Sequence, residues 1–178
     1  ATMALTVSQS RFPKPLTSSQ LADGLTHARW PARLQRISSG PLLQLLPEEW
    51  ELWIDGGHND GGGMALAEQS GLWEAQDHKP LHVIMGMITT KDPRDFVCYL
   101  APYMASCATI PIPDQPLTFS ADGLGTAISD TVSCPLSSAT SLGEAVRHAV
   151  AAGCAYSSGR ILITGSLYLM GAILKDHS

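Results

Sequence analysis

Residues 53–63, with the sequence WIDGGHNDGGG, carry the side chains best suited to chemistry. A short apolar run ends at Asp55, two glycines follow, and His58 and Asn59 come just before a predicted helix. A strand over 52–54 would place this carboxylate, imidazole and amide at the edge of a sheet where open α/β folds bind ligands. The glycines allow positive φ or close approach of a ligand, and a helix N-terminus offers unpaired N–H groups to an anion. An ordinary strand-to-helix connection accounts for the same residues, so the turn alone does not identify a reaction.

Ser166 marks a second polar strand end. The apolar run 161–164 predicts a buried strand, after which Gly165 and Ser166 turn into a helix. The carboxyl ends of parallel strands lie at one edge of a sheet, so a parallel arrangement would bring Ser166 to the edge that carries Asp55 and His58. A plain helix N-cap is the alternative interpretation of Ser166.

Several familiar catalytic motifs are absent from the sequence. It contains no P-loop of the form G-x-x-x-x-G-K-[ST]. Residues 123–128, GLGTAI, lack the third glycine of a dinucleotide-binding fingerprint and follow no convincing strand. Ser166 lacks the G-x-S-x-G pattern of a nucleophile elbow, and His58 has no second histidine or cysteine at zinc-ligand spacing. The sequence therefore gives little support to a Rossmann oxidoreductase, a serine hydrolase or a zinc enzyme.

Composition and charge favour a globular chain with small-molecule ligands. The 178 residues suffice for one domain, or one domain with a tail, and 44% apolar against 15% charged residues is typical of soluble folded proteins. The net charge of −5 argues against nucleic acid or an anionic membrane as a partner. No apolar run reaches the roughly 18 residues of a transmembrane helix, and no signal peptide is visible. The four widely spaced cysteines predict reduced thiols, so we expect a cytoplasmic protein.

Strands alternate with helices from residue 51 onward, which predicts an α/β fold: a mostly parallel, Rossmann-like sheet with helices on both faces. The run 81–88 is almost continuously apolar, as expected of a strand buried on both faces. Asp92-Pro93 and the pair Ser141 and Glu144 are helix-start signals. The predicted strands are 34–37, 42–46, 51–54, 81–88, 107–112, 131–134 and 161–164, and the predicted helices include one capped by Ser18 or Ser19, one over 64–72, and others beginning near 93, 142 and 167.

The N-terminus predicts a fragment of a longer protein. Residues 1–16 are interpreted as the end of a preceding domain and a linker, because Pro13 and Pro15 disfavour helix. Residues 17–178 form the predicted functional domain.

Four short segments occur in an order that is typical of one family. They are WPARLQ at 30–35, IDGGHN at 54–59, KD at 91–92 and ITGSLY at 163–168. This ordered set resembles the C-terminal domain of folylpolyglutamate synthase and dihydrofolate synthase, members of the Mur ligase superfamily. The family patterns are P-[GA]-R-[FL]-[QE], D-x-A-H-N-P and a terminal G-S-L-Y, and the resemblance covers roughly residues 20–175.

The resemblance implies an ATP-dependent carboxylate–amine ligase that joins glutamate to a folate or pteroate carboxylate. In the family, ATP phosphorylates the carboxylate, and the glutamate amine then attacks the acyl phosphate. A central domain carries the P-loop and the magnesium ligands, and the C-terminal domain closes over it. ATP and Mg²⁺ would therefore be bound mainly by a preceding ATPase domain outside this chain. The chain alone would be inactive, with no catalytic residue or metal ligand of its own.

The family motifs also imply roles for four residues. Arg33 and Asp55 match the positions that contact ATP, and His58 and Ser166 match those beside the incoming glutamate. Glutamate carries two carboxylates, and imidazole, hydroxyl and N–H donors at a helix N-terminus suit such a ligand. The plainer alternatives are a surface arginine, a turn-capping aspartate, a structural histidine and a helix-capping serine.

Two substitutions depart from the family pattern. Gly57 replaces the alanine before His-Asn, and Asp60 replaces the proline after it. Asp60 adds a negative charge where an anion is expected, which would weaken glutamate binding unless the carboxylate points away. The stretch between Arg33 and Asp55 is also longer than usual for the family. The segment 91–92 is better explained as a helix start than as part of a site.

Two other functions stay open at the level of sequence. A Mur-type peptidoglycan ligase belongs to the same superfamily, although the GSLY segment favours the folate branch. A standalone domain that binds a small ligand without catalysis is the alternative from another class. The sequence does not distinguish dihydropteroate from folate as the acceptor.

Overall fold

The computed structural model describes residues 17–26 and 30–176. The chain divides into two compact units, residues 1–31 and 32–178. The four residues with implied binding roles all lie in the second unit.

Helix α1 of the first unit spans Ser18–Thr26. Thr17 caps it, because Thr17 Oγ1 accepts the Gln20 N–H at 3.2 Å and Gln20 Oε1 accepts the Thr17 N–H at 3.0 Å. This reciprocal arrangement is a capping box. The predicted caps Ser18 and Ser19 are therefore wrong, and both lie inside the helix.

Strands and helices alternate through the second unit, as predicted. The strands are β1 (Gln35–Ile37), β2 (Trp50–Ile54), β3 (Leu81–Met85), β4 (Met104–Thr109), β5 (Leu136–Ser138) and β6 (Gly159–Thr164). The helices are α2 (Asp60–Asp77), α3 (Pro93–Leu100), α4 (Ala121–Ile128), α5 (Leu142–Ala152) and α6 (Leu167–Asp176), with short 3₁₀ turns at Pro41–Leu45 and Ala101–Tyr103. The sheet order is β1–β2–β6–β3–β4–β5, and among the described strands β1 alone runs antiparallel to its neighbour. The predicted class, a mostly parallel α/β sheet, is confirmed.

Helices cover both faces of the sheet, and each layer has its own apolar core. One core includes Val146 of α5 and Met170 of α6, and the other includes Trp73 of α2, Phe96 of α3 and Leu124 of α4. β3 and β6 are buried along their whole length, as expected of parallel strands covered on both sides. None of the helices within the described ranges is both long and apolar enough to cross a membrane.

β6 is the last strand in the chain, yet it lies between β2 and β3. Its register aligns Ile163 with Ile54 of β2 and with Ile84 of β3. The carboxyl ends of β2 and β6 are therefore neighbours at one edge of the sheet. The segments that follow Ile54 and Thr164 lie side by side.

Two predicted strands are wrong. Residues 42–46 fall largely in the 3₁₀ turn Pro41–Leu45, because Gly40 at φ 109° and the proline that follows it begin a helical turn. Residues 131–134 precede the edge strand, which begins only at Leu136. Short apolar runs without regular alternation do not separate helix from strand.

Other elements exist where they are predicted, with different bounds. α2 extends well beyond 64–72 on both sides, since Asn59 caps its N-terminus. β3 ends at Met85 rather than at 88, and β4 begins and ends earlier than the predicted strand over 107–112. The glycine-rich stretch 123–128 lies inside α4. It is therefore helical rather than a phosphate-binding loop.

A buried ion cluster holds the opposite edge of the sheet, at the amino ends of β2 and β6. Arg160 bonds Glu51 at 3.0 Å and Asp77 at 2.9 Å. Burial would raise the pKa of Glu51, but hydrogen bonds from Trp53, Lys79 and Arg160 outweigh it and lower the pKa to about 2. The cluster fastens β2, β6 and the end of α2 to one another.

His82 is buried at the start of β3 and stacks on Trp50, with ring centres 5.2 Å apart. Its Nδ1 lies 2.8 Å from Ser106 Oγ, whereas Nε2 is buried without a partner among the described residues. Burial lowers the pKa of His82 to about 4. The ring is therefore neutral at neutral pH.

Candidate functional site

The pairing of β2 with β6 continues beyond both strands. The Asp55 N–H donates to the Ile163 carbonyl at 3.0 Å, and the Gly165 N–H donates to the Gly57 carbonyl at 3.0 Å. The two polar strand ends therefore lie at one edge of the sheet, as a parallel arrangement requires. A substrate seated at this edge can reach residues from both.

Asp55 uses its carboxylate to hold the backbone around it. The side chain is buried, with Oδ1 accepting the Gly57 N–H and Oδ2 accepting the Leu34 N–H, each at 2.7 Å. The Gly56 N–H donates to the Ala32 carbonyl at 2.9 Å. These bonds fasten the turn at 32–34 to the end of β2. Within the chain, the contacts of Asp55 are therefore those of a turn-capping aspartate.

Arg33 sits at the tip of that turn. Its neighbours Ala32 and Leu34 both have positive φ, 61° and 41°, a conformation that costs about 1 kcal/mol or more per residue. The bonds to Asp55 and Gly56 offset this strain. The Arg33 side chain is exposed, and its guanidinium has no bond or ion pair within residues 17–26 and 30–176. A free, always-charged fork of donors suits a phosphate oxygen.

His58 is half-buried and has a defined tautomer. Its Nδ1 lies 3.0 Å from the Gly56 carbonyl oxygen. A carbonyl can only accept, so Nδ1 carries the proton and Nε2 is the ring nitrogen left for a ligand. The side-chain oxygen of Asn59 is used within the chain, because Oδ1 accepts the Gly62 N–H at 3.0 Å and so caps α2. His58 Nε2 and the amide N–H donors of Asn59 are left for a ligand.

Ser166 caps α6 and is buried. Its Oγ accepts the Tyr168 N–H at 3.2 Å, which satisfies the helix-cap interpretation. The hydroxyl proton can still be donated to a ligand. The turn before Ser166 requires glycine at position 165, because its φ is +106° and a Cβ there would lie 2.7 Å from the Gly86 carbonyl oxygen. Only glycine fits that position without strain.

A cleft of about 470 Å³ opens where α2 and α3 begin. Its volume is in the range of small-molecule sites. A second cleft of about 590 Å³ adjoins it and shares Lys91 and Asp92. The lining of the first cleft is His58, Asn59, Asp60, Gly61, Lys91, Asp92 and Asp95.

The Asp92 carboxylate already has hydrogen-bond partners within the chain. It caps α3 by accepting the Arg94 N–H at 3.0 Å, as predicted. The Arg94 guanidinium also donates to both oxygens, from Nε at 3.0 Å and from Nη2 at 2.7 Å. These hydrogen bonds lower the pKa of Asp92 to about 2. Its charge is therefore paired before any ligand arrives.

The sequence does not reveal that Lys91 shares a cleft with His58. The two residues are far apart in the chain, and the packing of α2 against α3 brings them together. Arg94 and Asp95 are likewise ordinary helix residues in the sequence. An Arg two positions after the cap Asp92 is the one local signal for the ion pair.

The described residues offer no ready metal site. Within 17–26 and 30–176, no three His, Cys, Asp or Glu side chains cluster as ligands.

Comparison with known proteins relates this arrangement to one group of enzymes. No protein-family model matches the sequence. A folylpolyglutamate synthase of Lacticaseibacillus casei is 31% identical over 102 residues, which are 57% of this chain and 21% of that protein. The fold matches a Mycobacterium tuberculosis folylpolyglutamate synthase, complexed with ADP and AMPPCP, at a TM-score of 0.75 and 24% identity over 94% of this chain. The chain resembles folylpolyglutamate synthase in sequence and in fold.

A bifunctional folylpolyglutamate synthase/dihydrofolate synthase from Yersinia pestis, complexed with AMPPNP and Mn, has the same fold. Its TM-score is 0.70 at 19% identity over 92% of this chain. The chain spans about a fifth of the curated synthase, and 36% and 35% of the two solved ones. The predicted resemblance to folylpolyglutamate synthase is confirmed.

Proposed function

We propose that this chain is the C-terminal domain of an ATP-dependent folate–glutamate ligase. The ligase would join glutamate to a folate or pteroate carboxylate through an acyl phosphate. One observation carries the proposal. In a fold shared with folylpolyglutamate synthases, the ends of β2 and β6 bring the Arg33 turn, His58 and Ser166 to one edge of the sheet.

Arg33 and Asp55 serve the ATP side of this site. Arg33 presents a guanidinium that no described residue pairs with, and this group can bind phosphate oxygens in a bidentate manner. Asp55 acts on the same ligand through Arg33, since its carboxylate holds the turn that positions the arginine. The solved synthases in complex with ADP, AMPPCP or AMPPNP support a nucleotide as the ligand.

His58 and Ser166 serve the glutamate side. The Ser166 hydroxyl lies buried at the start of α6 and can donate to a carboxylate. The His58 ring offers Nε2 to the amino acid. Their fixed orientation would align the amine with the acyl phosphate, which lowers the entropic cost of the reaction.

A further domain must supply the rest of the chemistry. This chain lacks a P-loop, and its described residues hold no cluster of metal ligands. We place the P-loop, most ATP contacts and Mg²⁺ in a preceding ATPase domain, and we expect no turnover from this chain alone. Bound Mg²⁺ would neutralise phosphate charge during acyl phosphate formation.

His58→Asn in the full-length protein tests the site. The asparagine amide can still donate to the Gly56 carbonyl, so the variant removes Nε2 while keeping the local bond. We expect at least a tenfold loss in kcat/KM for glutamate, about 1.4 kcal/mol, in an assay of folate- and glutamate-dependent ADP release.

His78→Asn is the matched control, because His78 is exposed at the far end of α2. It should leave the kinetics unchanged. Unchanged glutamate kinetics in the His58 variant would refute its role. Activity with another amino acid and a UDP-linked acceptor would instead support the Mur-type ligase. Ligand binding by this chain alone, with no activity in any longer form, would support a binding domain.

A further inference from the structure

We propose that Asp60 recognises the amino group of the incoming amino acid and so helps to determine substrate specificity. The inference rests on the proposed function, and it concerns the residue that replaces the family proline. Asp60 opens α2, two positions after His58, and its exposed side chain lines the same cleft.

The charges of the cleft favour a zwitterion. Arg94 already binds both oxygens of Asp92, so that carboxylate attracts a ligand only weakly. Lys91 remains as the cation of the lining, and Asp60 and Asp95 remain as carboxylates. A ligand that carries both an ammonium group and carboxylates matches this mixture better than a simple anion does.

Asp60 changes what the N-terminus of α2 can bind. A free helix N-terminus attracts a carboxylate, but the Asp60 carboxylate in the first turn already offsets that partial positive charge. A substrate carboxylate placed there would meet like charge. An ammonium group would meet the Asp60 carboxylate, which lines the cleft together with His58.

This assignment gives the amino acid a direction in the cleft. The amine lies at the start of α2, beside His58 and Asp60, and a carboxylate is left for Lys91. Asp60 is thus a binding residue, and its removal should affect KM more than kcat.

Kinetics of Asp60→Asn in the full-length protein test the proposal. We expect the KM for glutamate to rise at least fivefold, with kcat changed less than twofold. Glutarate has both carboxylates and no amine, so its inhibition constant should stay the same or fall. Asp60→Glu should restore most of the affinity. Glu68→Gln removes an equal charge from an exposed position of α2 outside the cleft and should leave the KM for glutamate within twofold.

Three results would overturn the inference. They are an unchanged KM in Asp60→Asn, an equal rise in Glu68→Gln, or a parallel weakening of glutarate. Thermal unfolding of each variant separates these results from misfolding. If Asp60→Asn is unstable, the kinetics of Asp60→Glu decide the question. An inactive wild-type protein would refute the proposed function. An active wild type whose KM for glutamate is unchanged by Asp60→Asn would refute this inference alone.

Discussion

Asp55 holds the backbone of the candidate site through its carboxylate. Each of its oxygens accepts a backbone N–H at 2.7 Å, and one of these belongs to the residue after Arg33. The carboxylate therefore fixes a strained turn against the end of β2. Its chemistry is local, but the position of the Arg33 guanidinium depends on it.

Asp55→Asn should weaken both stability and nucleotide affinity. The asparagine amide would present an N–H to a backbone N–H, which leaves a buried donor unpaired and costs about 1–3 kcal/mol. Chemical denaturation of this chain measures the stability, and the KM for ATP of the full-length protein measures the second effect. Asp114→Asn is the control, because Asp114 is exposed and asparagine tolerates its φ of 57°. Equal unfolding free energies for the Asp55 variant and wild type would contradict the role of Asp55.

The residues that cap helices α3 and α5 were predictable, because a capping signal depends only on residues that are close together in the sequence. Asp92 caps α3, and Ser141 Oγ accepts the Glu144 N–H at the start of α5, as the sequence predicts. The 3₁₀ turn Pro41–Leu45 and the edge strand β5 were not predictable. Their apolar residues lack a regular period, and packing decides their conformation.

Gly165, directly after β6, is a position where the backbone geometry accommodates only glycine without strain. Gly165→Ala should lower the free energy of unfolding by about 2 kcal/mol or more, since alanine at φ +106° is strained and its Cβ meets the Gly86 carbonyl. Gly171→Ala in the middle of α6 is the matched control, because a Cβ there meets nothing within 4 Å. It should raise stability by about 0.5–1 kcal/mol. Equal effects of the two substitutions, measured by urea unfolding, would contradict the strain argument.

At the scale of the whole molecule, the sequence predicts the edge of the sheet that carries the candidate site but not the cleft beside it. Asp55, His58 and Ser166 were predictable because each follows a strand of a parallel sheet, and the topology brings such positions together. The contribution of Lys91 depends on how α2 packs against α3. That packing is a tertiary outcome, without a motif in the sequence.

The stability of the molecule should fall in mild acid because of His82. Its folded pKa of about 4 lies below the ordinary value of 6.5, so between these pH values the unfolded chain binds a proton that the folded chain excludes. Unfolding free energy should therefore decrease as pH falls from 6.5 to 4, by on the order of 2 kcal/mol. The Glu51 contribution is lost only lower, as pH falls from 4.5 towards 2.

His82→Phe should flatten the stability curve between pH 6.5 and 4, whatever its effect on stability at neutral pH. Phenylalanine keeps an aromatic ring against Trp50 but cannot be protonated. Denaturation curves across this range measure the slope, and His78→Asn, at an exposed position, should keep the wild-type slope. A phenylalanine variant with the wild-type slope would show that other groups cause the acid sensitivity.

The central place of β6 has a consequence for biosynthesis. Because β6 follows the other described strands in the sequence, β2 and β3 keep their inner edges unpaired until residues 159–164 have been synthesised. Unpaired edges invite association with other chains, and contacts between residues distant in sequence slow folding. The two halves of the candidate site also meet only when β6 inserts. Binding competence and protection from aggregation are thus acquired in the same late step, so a chain truncated before residue 159 would lack both.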